Sequence, residues 1–162
     1  MKYFFIALFI SIVGNAQDLK DIRSQYPKAV ESNEITAKLD TELTKVNSTS
    51  KAVLIAYKGA TLTLKAKFAE KRSDKKDFFK EGVSLIETAT KAEPSNIEIR
   101  YIRMSVQENS PRFLGYYKNI EEDKQFILKN YASISSTELK RFIKEFVLKS
   151  ENFEDSEKKS FK

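Results

Sequence analysis

The apolar residues of this chain recur at intervals of three and four, and this helical spacing constrains its fold more than any other feature. In the stretch 34–46, for example, Ile35, Leu39, Leu43 and Val46 fall on one side of a helix. Alternation of the strand type is nearly absent from the sequence. Only four glycines and three prolines occur, so few positions force a helix to end. The sequence therefore predicts an all-α fold.

Breaks in this pattern divide the chain into helical segments joined by short connections. The segments cover residues 18–32, 34–46, 51–71, 73–92, 95–109 and 121–131, and a last one begins near residue 135. Ser95 with Glu98, and Ser135 with Glu138, have the spacing of capping boxes, which start helices. Because short connections favour neighbours that run in opposite directions, we expect antiparallel helix pairs in a bundle of about six to seven helices.

We expect a single domain over residues 17–150, flanked by two segments of different composition. The polar tail 151–162 is predicted to be disordered. At the other end, Lys2 precedes the apolar run 3–13, and a cleavage point after Ala16 completes the pattern of a secretory signal peptide over residues 1–16. The apolar run is shorter than the roughly 20 residues of a membrane span. We therefore expect an exported protein, periplasmic or secreted, with no membrane span after cleavage. An uncleaved N-terminal anchor is the alternative.

The absence of histidine, cysteine and tryptophan limits the chemistry that the chain can perform. Without histidine there is no imidazole base, no Ser-His pair and no common zinc or iron ligand set. Without cysteine there is no thiolate chemistry. Acidic residues are numerous, but their spacing singles out no catalytic pair. We predict that the protein is not an enzyme and that it holds no metal or cofactor.

The charge of the chain is moderately basic and evenly distributed. Lysine and arginine number 29 against 23 acidic residues, which gives a formal net charge of +6. Because these charges are not gathered in blocks, the excess indicates solubility more than a particular partner. We expect no specific binding of nucleic acid and only a weak attraction to anionic polymers.

The segment 97–107 carries the most informative polar residues. At about 100° per residue, Arg100, Arg103 and Gln107 fall on one narrow strip between two apolar stripes on opposite sides of a helix. A guanidinium held between apolar surfaces needs a carboxylate partner. The acids at 121–123 open the next helix and can reach the arginines if that helix folds back. One interpretation is therefore an internal arginine–carboxylate clamp that fixes the turn 111–119.

In a second interpretation, Arg100, Arg103 and Tyr116 line a groove that binds an anionic group or a peptide carboxylate. Tyr116 and Tyr117 are adjacent, so we expect at most one of them to be buried and the other to face outward. The candidate partner-binding residues are then Arg100, Arg103, Gln107, Tyr116 and Tyr117.

The connecting stretch SPRFLGYYKN (110–119) lies between the arginine-bearing helix and the acidic start of the next one. Pro111 and Gly115 are expected to shape its backbone. Phe113 and Leu114 are expected to fill the gap between the two helices. This stretch is therefore predicted to be a packed hinge in the clamp interpretation and part of a binding groove in the other.

Two resemblances add to this reading. Gly82, Ile86, Ala89 and Pro94 have the relative spacing of the small, large, small and proline positions in the second helix of a tetratricopeptide repeat. This resembles a single tetratricopeptide-like helix pair, because the preceding helix lacks the tryptophan and the Leu-Gly pair of a full repeat and no 34-residue period recurs. It implies a tetratricopeptide-like helical bundle.

The motifs YKGA, EPSNIEIRYIR and FLGYYKNIEEDK, in that order after a leader ending in Ala-Gln, resemble a family of small exported helical proteins from bacteria of the Bacteroidetes kind. The resemblance spans approximately residues 54–131. It implies export and a helical fold, and it implies no activity.

The leading functional hypothesis is an exported, non-catalytic helical module that binds a protein or peptide partner. The alternative is an envelope-associated structural protein held by diffuse charge to anionic polymers. The two hypotheses differ in their salt dependence, because diffuse attraction between exposed charges is screened by salt.

Overall fold

The computed structural model of the protein describes residues 14–161, so most of the predicted signal peptide lies outside the described residues. It contains α1 (Gly14–Ala29), α2 (Asn33–Glu42), α3 (Ala52–Phe68), α4 (Arg72–Ala92), α5 (Ile97–Asn109), α6 (Ile120–Asn130), α7 (Thr137–Lys149) and α8 (Asp155–Lys158). Single 3₁₀ turns occur at Arg112–Leu114, Tyr131–Ser133 and Lys159–Phe161. No strand occurs within residues 14–161, and the predicted all-α fold is confirmed. None of the helices described combines the length and apolar character that a membrane crossing requires.

The most extensive contact between two helices is that of α3 with α4. It depends on Gly59 and Gly82, because a Cβ atom on either glycine would lie 2.5 Å from the backbone oxygen of the other. Gly59 meets Ile86, whereas Lys65 lies over the ring of Phe78 near the connecting loop, so the two helices run in opposite directions. Gly82 is one of the positions on which the tetratricopeptide resemblance rests, and that resemblance stays a prediction.

Helix α5 lies among α3, α4, α6 and α7, and residues 98–107 are all buried. Ile99, Ile102 and Met104 have no exposed surface. The prediction of a helix that is apolar on two sides and enclosed by its neighbours is confirmed. This position is what removes the polar residues of α5 from water.

The N-terminal caps of two helices differ from the sequence prediction by one residue. At α5 the side chain of Asn96, and not that of Ser95, accepts hydrogen bonds from the N–H groups of Glu98 and Ile99. At α7 the Ser136 hydroxyl accepts from the N–H of Leu139. In each case two adjacent residues have short polar side chains, so spacing alone does not decide which of them occupies the capping position.

The C-terminal segment is ordered, which corrects the predicted disordered tail. Residues 155–161 form α8 and a 3₁₀ turn, and Phe153 and Phe161 are each only 3% exposed. The ring of Phe161 lies 4.3 Å from that of Tyr131, and Phe153 packs edge-on against Phe146. The polar composition of this segment led to the wrong prediction, because two phenylalanines suffice to dock a short amphipathic stretch onto an existing core.

Candidate functional site

An ion-pair cluster between α5 and α6 contains both arginines of the predicted strip. Arg103 donates from Nε to Oδ2 of Asp123 and from Nη2 to Oδ1, both at 2.7 Å. Arg100 donates from Nη1 to Asp123 Oδ1 at 2.9 Å and also to Glu122. Asp123 is fully buried and the two arginines nearly so. These four residues form the internal arginine–carboxylate clamp of the first interpretation, and we call them the clamp.

The electrostatics of the clamp follow from burial and from these contacts. Burial lowers the pKa of Arg103, but the hydrogen bonds and charge of Asp123 outweigh it and leave that pKa raised. Burial raises the pKa of Asp123, which the hydrogen bonds from both arginines only partly counteract. The hydrogen bond from Arg100 lowers the pKa of Glu122, which lies at the outer edge. Arg103 therefore stays charged, and the ion pairs of the clamp require ionised carboxylates.

The loop between α5 and α6 is fixed to the helices at two points. The backbone N–H of Asn119 donates to Gln107 Oε1 at 3.0 Å. The hydroxyl of Tyr116 donates to Glu87 Oε1 at 2.8 Å, and the other oxygen of Glu87 lies 3.5 Å from Nη1 of Arg103. Burial and the hydrogen bond to Glu87 raise the pKa of Tyr116. Glu87 therefore connects α4, the clamp and the loop.

The middle of the same loop faces outward. Phe113 is 86% exposed, Leu114 41% and Tyr117 39%, and no other large apolar side chain in the described part of the chain is as exposed. We call these three residues the tip. The guanidinium of Arg112 lies 4.8 Å from the ring centre of Tyr117. Gly115 has a φ of 70°, in the left-handed region that favours glycine, and it ends the 3₁₀ turn that presents the tip.

The prediction that Phe113 and Leu114 fill the gap between α5 and α6 is wrong. That space is occupied by the clamp and by the contact of Gln107 with Asn119. Both helices contribute polar side chains there, and Phe113 lies outside this contact, 86% exposed. The sequence pattern gave no warning of this, because an apolar residue in a short loop is more often packed than exposed.

The structure separates the five candidate partner-binding residues into two groups. Arg100, Arg103 and Gln107 are buried beneath the loop, and the arginines are bound to carboxylates of the same chain. This corrects the interpretation in which the arginines line an open groove. Tyr116 is partly buried and bound to Glu87, whereas Tyr117 is exposed, as expected for two adjacent tyrosines. Of the five, Tyr117 is the residue that presents an open apolar surface.

A second buried ion pair lies on the opposite part of α5 and was not predicted. Arg23 of α1 donates to both carboxylate oxygens of Glu98, at 2.7 and 2.6 Å, and the hydroxyl of Tyr57 donates to Glu98 at 2.8 Å. Sequence reasoning assigned Glu98 only to a capping box. Because Arg23 and Glu98 are 75 residues apart, local spacing holds no signal for this pair. It fixes α1 to the centre of the fold.

A groove of about 510 Å³ lies between α2, α3 and the start of α4. Its Lys65 is bound to Asp40 at 2.8 Å and lies over the ring of Phe78. None of the five candidate residues lines it. Within the described residues, no group of three or more acidic side chains could hold a metal ion.

Comparisons of the chain with protein-family models, curated proteins and solved structures find no match. The resemblance to small exported helical proteins of Bacteroidetes-type bacteria therefore stays a prediction. The candidate site is therefore defined by its geometry. It consists of the exposed apolar tip and of the buried polar contacts that hold its loop.

Proposed function

We propose that this chain is an exported, non-catalytic binding module and that the tip binds a protein or peptide partner. The observation that carries the proposal is the exposure of Phe113, Leu114 and Tyr117 on one short loop. Contiguous apolar side chains on an otherwise polar surface are typical of interaction sites. Phenylalanine and tyrosine next to an arginine also match the composition of interface centres.

The geometry of the loop makes binding at the tip energetically favourable. Covering a fully exposed phenylalanine side chain stabilises a complex by about 1.5–3 kcal/mol. Binding usually loses part of such a gain because flexible loops must become ordered. Here Tyr116 and Asn119 hold the two sides of the loop to α4 and α5 before any partner arrives. The tip is therefore pre-organised, and less of its binding energy is spent on ordering.

In this proposal the clamp supports the site and does not touch the partner. Arg103 and Asp123 are buried and bound to each other, so they offer a partner almost no surface. Their role is to fix the start of α6 relative to α5, which sets where the loop begins and ends. The candidate residues of the sequence analysis thus divide into supporting residues and one contact residue, Tyr117.

The envelope-associated alternative is favoured by a different observation, the net charge of +6 distributed over the surface. Binding of that kind would weaken steeply with salt and would change little when a single apolar residue is replaced. Binding through the tip would depend on Phe113 and would persist at high salt, because burial of apolar surface is not screened.

Site-specific crosslinking in the native host tests the proposal. A photoreactive phenylalanine analogue at position 113 should capture one discrete partner, and the same analogue at Lys38, which is 65% exposed on α2, should not. Capture should be lost when Leu114→Ser and Tyr117→Ser are added. Equal labelling from both positions, or labelling indifferent to the two serines, would contradict binding at the tip. Sequencing the N-terminus of the mature protein tests export, with Gln17 expected as its first residue.

A further inference from the structure

The charges within the loop 110–119 are all of one sign. Arg112 and Lys118 are exposed and flank the tip, and no acidic residue occurs between residues 110 and 119. Among the described residues, no carboxylate forms an ion pair with either cation. Arg112 interacts instead with the ring of Tyr117, at 4.8 Å. The loop therefore presents an apolar centre between two uncompensated positive charges.

Helix α4 extends this basic surface. The ring of Phe79 lies 6.2 Å from that of Tyr116, so this side of α4 adjoins the loop. At about 100° per residue, Lys76 lies within about 60° of Phe79 around the helix. Lys80 instead lines a groove together with Asp77 and Glu81. Both lysines are exposed.

The acidic residues of the same part of α4 lie elsewhere. Asp77 and Glu81 are each about 160° from Phe79 around the helix, on the side turned away from the loop. Glu87 is on the loop side, but it is bound to Tyr116 and Arg103. Glu121 and Glu122 follow the loop and are paired with Lys124 and Arg100. Within residues 14–161, Arg112, Lys118 and Lys76 therefore carry positive charge that no ion pair balances.

We propose that the partner of the tip presents an apolar pocket flanked by carboxylates, so that its acidic rim meets Arg112, Lys118 and Lys76. The inference rests on the proposed function and adds the chemistry of the partner. Complementary charge at the rim of an interface mainly accelerates association and selects among partners, while the buried apolar centre supplies most of the affinity.

An anionic lipid surface has the same charge but fits the geometry less well. Arg112 is stacked on Tyr117, so its guanidinium lies at the level of the apolar side chains. Insertion of the tip into hydrocarbon would bury this charge. It would also bury backbone groups of the 3₁₀ turn that have no hydrogen-bond partner there. A protein pocket can instead supply a carboxylate to the guanidinium and acceptors to the backbone.

A random-peptide display library is the probe, and it is selected against three folded proteins. They are the wild type, a tip variant with Phe113→Ser, Leu114→Ser and Tyr117→Ser, and a charge variant with glutamine at positions 76, 112 and 118. The wild type should enrich peptides that combine aromatic or aliphatic residues with neighbouring acids. The tip variant should enrich none of them. The charge variant should bind a selected peptide about tenfold more weakly at low salt, and replacement of Lys20 and Lys45 by glutamine should leave binding unchanged.

The possible results separate the inference from the proposed function. Enrichment of apolar peptides without an excess of acids would overturn the inference and leave the binding function in place. The same enrichment on the wild type and on the tip variant would overturn both. Vesicles of phosphatidylethanolamine and phosphatidylglycerol form the last arm of the test. Co-sedimentation of the wild type with them, lost in the tip variant, would overturn the inference in favour of a membrane surface.

Discussion

The C-terminal segment and the loop between α5 and α6 are both short and irregular, and both carry aromatic residues, yet these residues have opposite environments. Phe153 and Phe161 are each 3% exposed, whereas Phe113 is 86% exposed. Sequence composition predicts the reverse, since the C-terminal segment is the more polar of the two. The difference shows that the position of an aromatic side chain is decided by what surface the rest of the fold leaves open to it.

The two segments are anchored by different kinds of contact. The C-terminal segment docks through its phenylalanine rings, with Lys124 and Glu157 forming an ion pair at its edge. The loop docks through polar atoms, those of Tyr116 and Asn119. Because polar anchors hold the loop, its apolar residues are not needed for folding. They are consequently available for a partner.

The largest loss of stability is expected when Phe153 in the C-terminal segment is replaced. Phe153→Ala should destabilise the domain by about 3–5 kcal/mol, because it leaves a cavity among Phe146 and Phe161. Phe113→Ala is the matched control and should change stability by no more than about 0.5 kcal/mol. Urea unfolding of both variants measures the difference. Equal costs for the two substitutions would mean that Phe113 is packed or that the C-terminal segment is not docked.

A somewhat smaller loss is expected when the polar support of the loop is removed. Arg103→Ala should cost about 3 kcal/mol, at the lower end for a broken buried ion pair, because Asp123 keeps its contact with Arg100. Arg141→Ala removes an exposed pair with Glu145 and should cost at most about 0.5 kcal/mol. Thermal or urea unfolding compares the two. An Arg103→Ala protein as stable as the wild type would show that the clamp contributes nothing to folding.

Within the loop, Tyr116 and Tyr117 also differ in their contacts, and we expect a smaller difference in stability when they are replaced. Tyr116→Phe removes the hydroxyl that binds Glu87 and should cost about 1 kcal/mol. Tyr117→Phe removes a hydroxyl that has no hydrogen-bond partner among residues 14–161 and should have almost no effect on stability. Equal costs, measured by urea unfolding, would contradict the assignment of Tyr116 as the anchor and Tyr117 as part of the tip.

The parts of the fold that follow from local pattern could be predicted from the sequence. Helical spacing predicted the all-α fold, and two opposed apolar stripes predicted that α5 is enclosed. The clamp was predictable because Arg100 and Arg103 share a strip and the acids at 121–123 follow one short loop later. All of these inferences use residues that are close in the chain or that lie on two helices joined by one short loop.

The rest depends on contacts that sequence spacing does not encode. Arg23 and Glu98 meet across 75 residues, and the docking of Phe161 on Tyr131 depends on where the whole C-terminal segment folds back. The exposure of Phe113 could not be predicted for a related reason. It follows from the filling of the space beneath the loop by polar groups, and that is a property of the assembled helices.

The smallest effect concerns the polar side of the C-terminal docking and depends on pH. Burial raises the pKa of Glu108, although the hydrogen bonds from Ser150 and Asn152 partly lower it. A carboxyl group whose pKa is higher in the folded state binds its proton more tightly there. Its contribution to stability is therefore present below its ordinary pKa and is lost as the pH rises through the raised value.

Glu108→Gln keeps an oxygen that can accept these hydrogen bonds but cannot ionise, so it removes this pH dependence. The stability of the variant relative to the wild type should therefore increase as the pH is raised from about 4 towards neutrality, and then stay constant. Urea unfolding of both proteins across this range measures the change. A difference that stays flat would show that folding does not shift the pKa of Glu108, and a change in the opposite direction would show that the docked C-terminal segment favours its ionised form.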